Sequence, residues 1–92
     1  MNDNTHRITE IRRLLEETFS PEALEIIDES HKHAGHAGAK SGKGHFDVMI
    51  VAKAFSGQAL LKRHRMIYEA LGDLMQTDIH ALSISAHSPD EI

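Results

Sequence analysis

The chain has 92 residues, 26% of them charged and 40% hydrophobic, with a formal net charge of −4 and no cysteine. A chain of that size makes one small domain with a single core. Its acidic balance argues against a protein that coats nucleic acid without sequence preference, and the missing thiols exclude disulfides, thiol catalysis and thiolate metal ligands of its own. No apolar run reaches the length of a membrane span, and the start lacks the basic-then-apolar pattern of a signal peptide. The expectation is a soluble cytoplasmic protein without membrane partners, a single domain over 1–92 with its core at about 5–88.

In chain order, Thr5 to Phe19 reads as an amphipathic helix. Ile8, Ile11, Leu14, Leu15 and Phe19 form its stripe, and Arg7, Glu10, Arg12, Arg13, Glu16 and Glu17 face water. Asn4 or Thr5 suits its start, and Ser20-Pro21 ends it because the residue before proline is pushed out of the helical region. Ala23 to Ser30 is a short strand with Leu24 and Ile26 on one face. His45 to Lys53 is a second strand, in which Phe46, Val48, Ile50 and Ala52 alternate with Asp47, Met49, Val51 and Lys53. The two strands pair antiparallel across the loop His31 to Gly44, which holds four of the six glycines and no large apolar residue.

The pair Ser56-Gly57 opens a helical pattern that runs to Gln76. Leu60, Ile67, Tyr68, Leu71, Leu74 and Met75 recur at three- and four-residue spacing as its core stripe, and a break into two helices is expected near Lys62–His64. Ile79 to Ala86 is a third strand, with His80, Leu82 and Ile84 on one face, joined to the second strand by a helical crossover and so parallel to it. Ser88 to Ile92 reads as a frayed end. The order α-β-β-α(α)-β predicts an α+β domain with helices packed on one face of a small, three-stranded mixed sheet.

Eight histidines are the compositional oddity. His31, His33 and His36 lie in the glycine-rich loop, where imidazoles can gather around a transition metal or simply stay solvated. Zinc, copper or nickel without a cluster is one outcome for such a loop. Lys62, Arg63 and Arg65 surround His64 with positive charge, which favours a neutral imidazole able to coordinate. The competing reading is a core histidine between Leu60 and Ile67, and the residues alone leave both open. His80 is expected to be buried and hydrogen-bonded, His45 to open its strand or anchor the loop, and His6 and His87 carry no assignment. Lys62, Arg63 and Arg65 also form a basic helical segment suited to phosphates. No nucleophile is paired with a base and no phosphate-binding glycine motif occurs, so no enzyme is expected.

The pattern Phe55-x-Gly57-x(5)-Arg63-His64-Arg65-x-x-Tyr68 resembles the signature of the BolA-like proteins. Leu24 to Ser30, His45-Phe46 and Ile79-His80-Ala81-Leu82 agree with it, and the likeness covers roughly residues 8 to 88. The resemblance implies a domain similar to class II KH folds without the Gly-x-x-Gly loop. It implies a protein that binds a monothiol glutaredoxin and shares a bridging [2Fe–2S] cluster with it, in cluster trafficking and iron regulation. It also implies a link, in some bacterial members, to DNA-binding transcriptional regulation. It assigns one cluster ligand to His64 and a second to the loop, where His33 matches and His31 and His36 are alternatives. With no cysteine here, the thiolates of the second iron would come from glutaredoxin and glutathione.

Overall fold

The computed structural model describes residues 4–29 and 44–92. Helix α1 covers Asn4–Phe19, and it is followed by strands β1 (Ala23–Asp28) and β2 (Gly44–Val51). After a 3-10 turn at Lys53–Phe55 come helices α2 (Leu60–Leu71) and α3 (Leu74–Thr77), strand β3 (Ile79–His87) and a closing 3-10 turn at Pro89–Glu91. The sheet order is β1-β2-β3, with β1 antiparallel and β3 parallel to β2. This is the α+β arrangement that the sequence predicts.

The alternation of β2 decides where the core lies. Phe46, Val48 and Ile50 point to one face, and Ile11 and Leu15 of α1, Ile67 and Leu71 of α2, Phe55 of the turn and Ile79 and Ala86 of β3 close over them. Burying a side chain of the size of Phe46 or Phe55 is worth roughly 1.5–3 kcal/mol, so this cluster accounts for the docking of both long helices. Phe19 at the end of α1 meets Phe55 with ring centroids 5.0 Å apart.

Five sequence expectations change. The helical break falls at Gly72-Asp73, between α2 and α3, and not near Lys62–His64, because Gly72 takes φ 54°, a backbone conformation that glycine adopts without strain. Leu60 and Tyr68 leave the core stripe, being 66% and 41% exposed. Arg7 does not face water freely: its Nε donates to Asp78 at 3.1 Å and its Nη1 to Asn4 Oδ1 at 2.9 Å, while Asn4 Nδ2 donates to Asp28 at 2.8 Å. The end of the chain is not frayed. Ser88 is 1% exposed and shares a capping box with Glu91, each accepting a backbone N–H of the other. His80 is exposed, because the pairing register shifts by one residue at the start of β3.

Candidate functional site

The two ends of the sheet are built differently. At one end β1 leaves for, and β2 returns from, the segment that carries His31, His33 and His36, all outside the described residues. The described base of that segment is fixed by the backbone. Glu29 N–H donates to His45 carbonyl at 2.7 Å, and Gly44 N–H donates to Asp78 carbonyl at 2.9 Å. Asp78 accepts from Thr77 Oγ1 at 2.6 Å as well as from Arg7, and these two donors, Thr77 first, hold its carboxyl below the usual range.

His80 stands at this end. Gly44 pairs with Ile79, and the next residue of β2, His45, pairs with Ala81, so β3 carries one residue more than β2 across that step. The extra residue is His80. Period-two reading placed it with Leu82 and Ile84, but the shift keeps Ile79 inside at 2% exposure and puts His80 outside. An inserted residue of this kind re-aims a side chain at the cost of one unpaired position in the ladder. The ring of His80 lies against that of His45, with centroids 4.9 Å apart and planes tilted by 51°. His45 is buried at 6% exposure and supports the exposed ring from one side.

His64 stands elsewhere. It is half-buried in the second turn of α2, and the turn that holds it is tied to the other end of the sheet through its neighbour Arg63. Arg63 Nη1 donates to Ala86 carbonyl at 2.9 Å, near the close of β3, and Nε donates to Gln58 carbonyl at 2.9 Å. Its two terminal nitrogens form a bidentate pair with Glu91, both contacts at 2.7 Å. Arg63, at 4% exposure, therefore spends its donors inside the fold and presents no guanidinium to a phosphate. That removes it from the basic segment read from sequence, and Lys62 and Arg65 are its exposed members.

The geometry thus gathers His80 and His45 at the base of the histidine-bearing segment and sets His64 apart from them. No group of three or more His, Cys, Asp or Glu side chains placed to hold a metal occurs among the described residues. Sequence reasoning passed over His80 because alternation alone cannot register an inserted residue. It passed over the Arg63–Glu91 pair because the partners are 28 residues apart. No helix among the described residues is long and apolar enough to cross a membrane.

Comparison with known proteins places the chain in a family. The family described as "BolA-like protein" matches residues 15–91. SufE-like protein 1, chloroplastic/mitochondrial, of Arabidopsis thaliana is 45% identical over 87 residues, covering 89% of this chain. The chain spans only 24% of that relative's length. The DNA-binding transcriptional regulator BolA of Escherichia coli (strain K12) is 40% identical over 81 residues, covering 88% of this chain and 74% of the relative. Among solved structures, the BolA domain of SufE1 from Arabidopsis thaliana superposes with a TM-score of 0.83 at 44% identity, covering 94% of this chain and 95% of that one.

Proposed function

Since this chain belongs to the BolA-like protein family, we propose that it is a non-catalytic adaptor that shares a bridging [2Fe–2S] cluster with a monothiol glutaredoxin and acts in cluster trafficking and iron regulation. The observation that carries the reading is an exposed histidine, His80, braced by His45 at the base of a three-histidine segment in a chain with no thiol. Two imidazoles can hold one iron of such a cluster, but the other iron needs two thiolates. This chain has none, so it supplies half of a site, and the partner's cysteine and glutathione supply the rest.

For the first ligand we put His80 ahead of His64. His33 lies four residues beyond Glu29, a backbone reach of about 14 Å. Strand β2, which separates the two ends of the sheet, is longer, at roughly 25 Å. The shorter path from His33, and from His31 nearer still, therefore leads to His80, while His36, seven residues beyond Glu29, has a reach of about 25 Å. The test is anaerobic mixing with a monothiol glutaredoxin, glutathione, iron and sulfide, read by visible spectroscopy and size-exclusion chromatography. His80→Ala and His33→Ala are expected to change the visible spectrum and shorten cluster lifetime, with His64→Ala unchanged. A change with His64→Ala alone returns the first ligand to the helix. Wild-type spectra from all three variants would end the shared-cluster reading.

A second reading has its own support. The E. coli relative is described as a DNA-binding transcriptional regulator, and Lys62 and Arg65 are exposed on one helix. Under that reading each of Lys62→Ala and Arg65→Ala lowers the salt dependence of duplex binding by about one phosphate contact. Equal affinity for a promoter and for random duplex would remove it.

A further inference from the structure

Helix α2 has two faces, and only one is used by the fold. Arg63, Ile67 and Leu71 are buried, and Met66 and Ala70 pack against the core beside them. On the other side Leu61, His64, Arg65 and Tyr68 recur at three- and four-residue spacing, the rhythm of a helix–helix seam. Leu60 is 66% exposed, its neighbour Leu61 62% and Tyr68 41%. Single exposed apolar residues are ordinary on a surface, but three along one strip of one helix mark a contact face.

The charges on the strip say what would cover it. The chain has five arginines. Arg7 pairs with Asp78, Arg12 with Glu16, Arg13 with Glu10 and Glu17, and Arg63 with Glu91. Arg65 has no carboxylate partner among the described residues, and neither has Lys62. Outside the described residues, 30–43 carries no Asp or Glu, and 1–3 carries Asp3 alone. In a chain whose net charge is −4, these two cations thus stand beside two exposed leucines without an ion-pair partner among the described residues, the exposed Glu69 one turn beyond Arg65 included.

We propose that this face of α2 docks an amphipathic helix of a partner protein, one whose apolar seam is flanked by Asp or Glu. Leu61 and Tyr68 are its anchors, His64 lies between them, and Lys62 and Arg65 meet the carboxylates. A duplex would match the cations but leave the leucines against phosphates, which gain nothing from apolar contact. A second copy would match the leucines, but across a two-fold contact it could set only one carboxylate of this side of the helix, the exposed Glu69, against two cations. The surface is independent of the cluster reading, and its test contains no iron, glutaredoxin or glutathione.

The probe is a synthetic helical peptide with a leucine seam flanked by glutamates, titrated into the 15N-labelled chain. Parallel titrations use the same peptide with lysines in place of glutamates and a random 20-base-pair duplex. Saturable amide shifts confined to residues 60–68 are expected from the glutamate peptide only. Leu61→Ser, Tyr68→Ser and Arg65→Glu should each weaken binding at least about tenfold, and Arg65→Glu should gain affinity for the lysine peptide. The proposal is overturned if the glutamate peptide gives no saturable shift on α2, or if the lysine peptide binds equally well. It is also overturned if the duplex alone perturbs these residues, or if they shift with protein concentration and no ligand.

Discussion

Arg63 and Arg65 flank the same histidine and carry the same charge, yet they answer to different parts of the molecule. Arg63 faces inward and holds two backbone carbonyls and a carboxylate, joining the start of α2 to the end of β3 and to the closing turn. Arg65 faces outward with Lys62, Leu61 and Tyr68. The difference is about 200° of helix rotation across two residues. Within one tripeptide, one arginine is part of the fold and the other is available to something outside it. A motif read as a basic cluster hides that division.

The contrast between the two faces of α2 breaks most visibly at Ile67. It has 0% exposure, so Ile67→Ala should lose about 2–5 kcal/mol of unfolding free energy in urea. Leu61→Ala, one turn and a half away on the outer face, should stay within about 0.5 kcal/mol. Similar losses for the two would mean that the outer face is covered. The next effect is at the arginines. Arg63→Met leaves the carbonyls of Gln58 and Ala86 without this donor and Glu91 without its cation, and its denaturation midpoint should fall clearly. Arg65→Met should leave the midpoint within error, and a tie between the two variants would erase the distinction.

The Arg63–Glu91 pair also gives a pH signature. Arg63, and after it the Ser88 N–H, lower the Glu91 carboxyl from 4.5 to about 2. A carboxyl whose folded value is depressed binds its proton more readily when unfolded. Its contribution to stability is therefore complete above about pH 4.5 and is lost as the pH falls towards 2. Glu91→Gln should be less stable than wild type at pH 7, with the gap closing through that window in pH-dependent melts. A gap that stays constant down to pH 2 would show that the pair does not titrate as described. The smallest effect expected is at Tyr68, where Tyr68→Ser should leave melting unchanged, while the peptide titration loses its anchor.

Strand β2 was readable from sequence because one of its faces is wholly buried, so alternation and burial coincide. The outer leucine of α2 was not. Periodicity records that Leu60 and Tyr68 share a spacing with Ile67 and Leu71, but it cannot say how wide the covered arc is. The sequence predicts the helix break where polar residues crowd, at Lys62–His64, whereas the backbone turns at Gly72, the residue without a Cβ. The closing turn did carry a local signal, Ser88-Pro89-Asp90-Glu91, a serine with glutamate three residues on. What the sequence could not show is that the same Glu91 would also reach a buried arginine 28 residues earlier. His33 and its neighbours lie outside the described residues, so the loop half of the site rests on the family pattern alone.

The register shift at the start of β3 has a consequence for how His80 relates to folding. The ladder steps over this residue: Ile79 is already inside, Ala81 is already outside and paired with His45, and position 80 adds no side chain to the hydrophobic core, its ring lying against that of His45. Excising residue 80 altogether would bring Ile79 next to Ala81 with both still on their own faces, turning an interrupted ladder into a regular one. Most site residues are entangled with the scaffold that holds them, and their removal confounds loss of chemistry with loss of structure. At position 80 the two are separable, because the ring contact that would be lost, with His45, lies outside the hydrophobic core cluster.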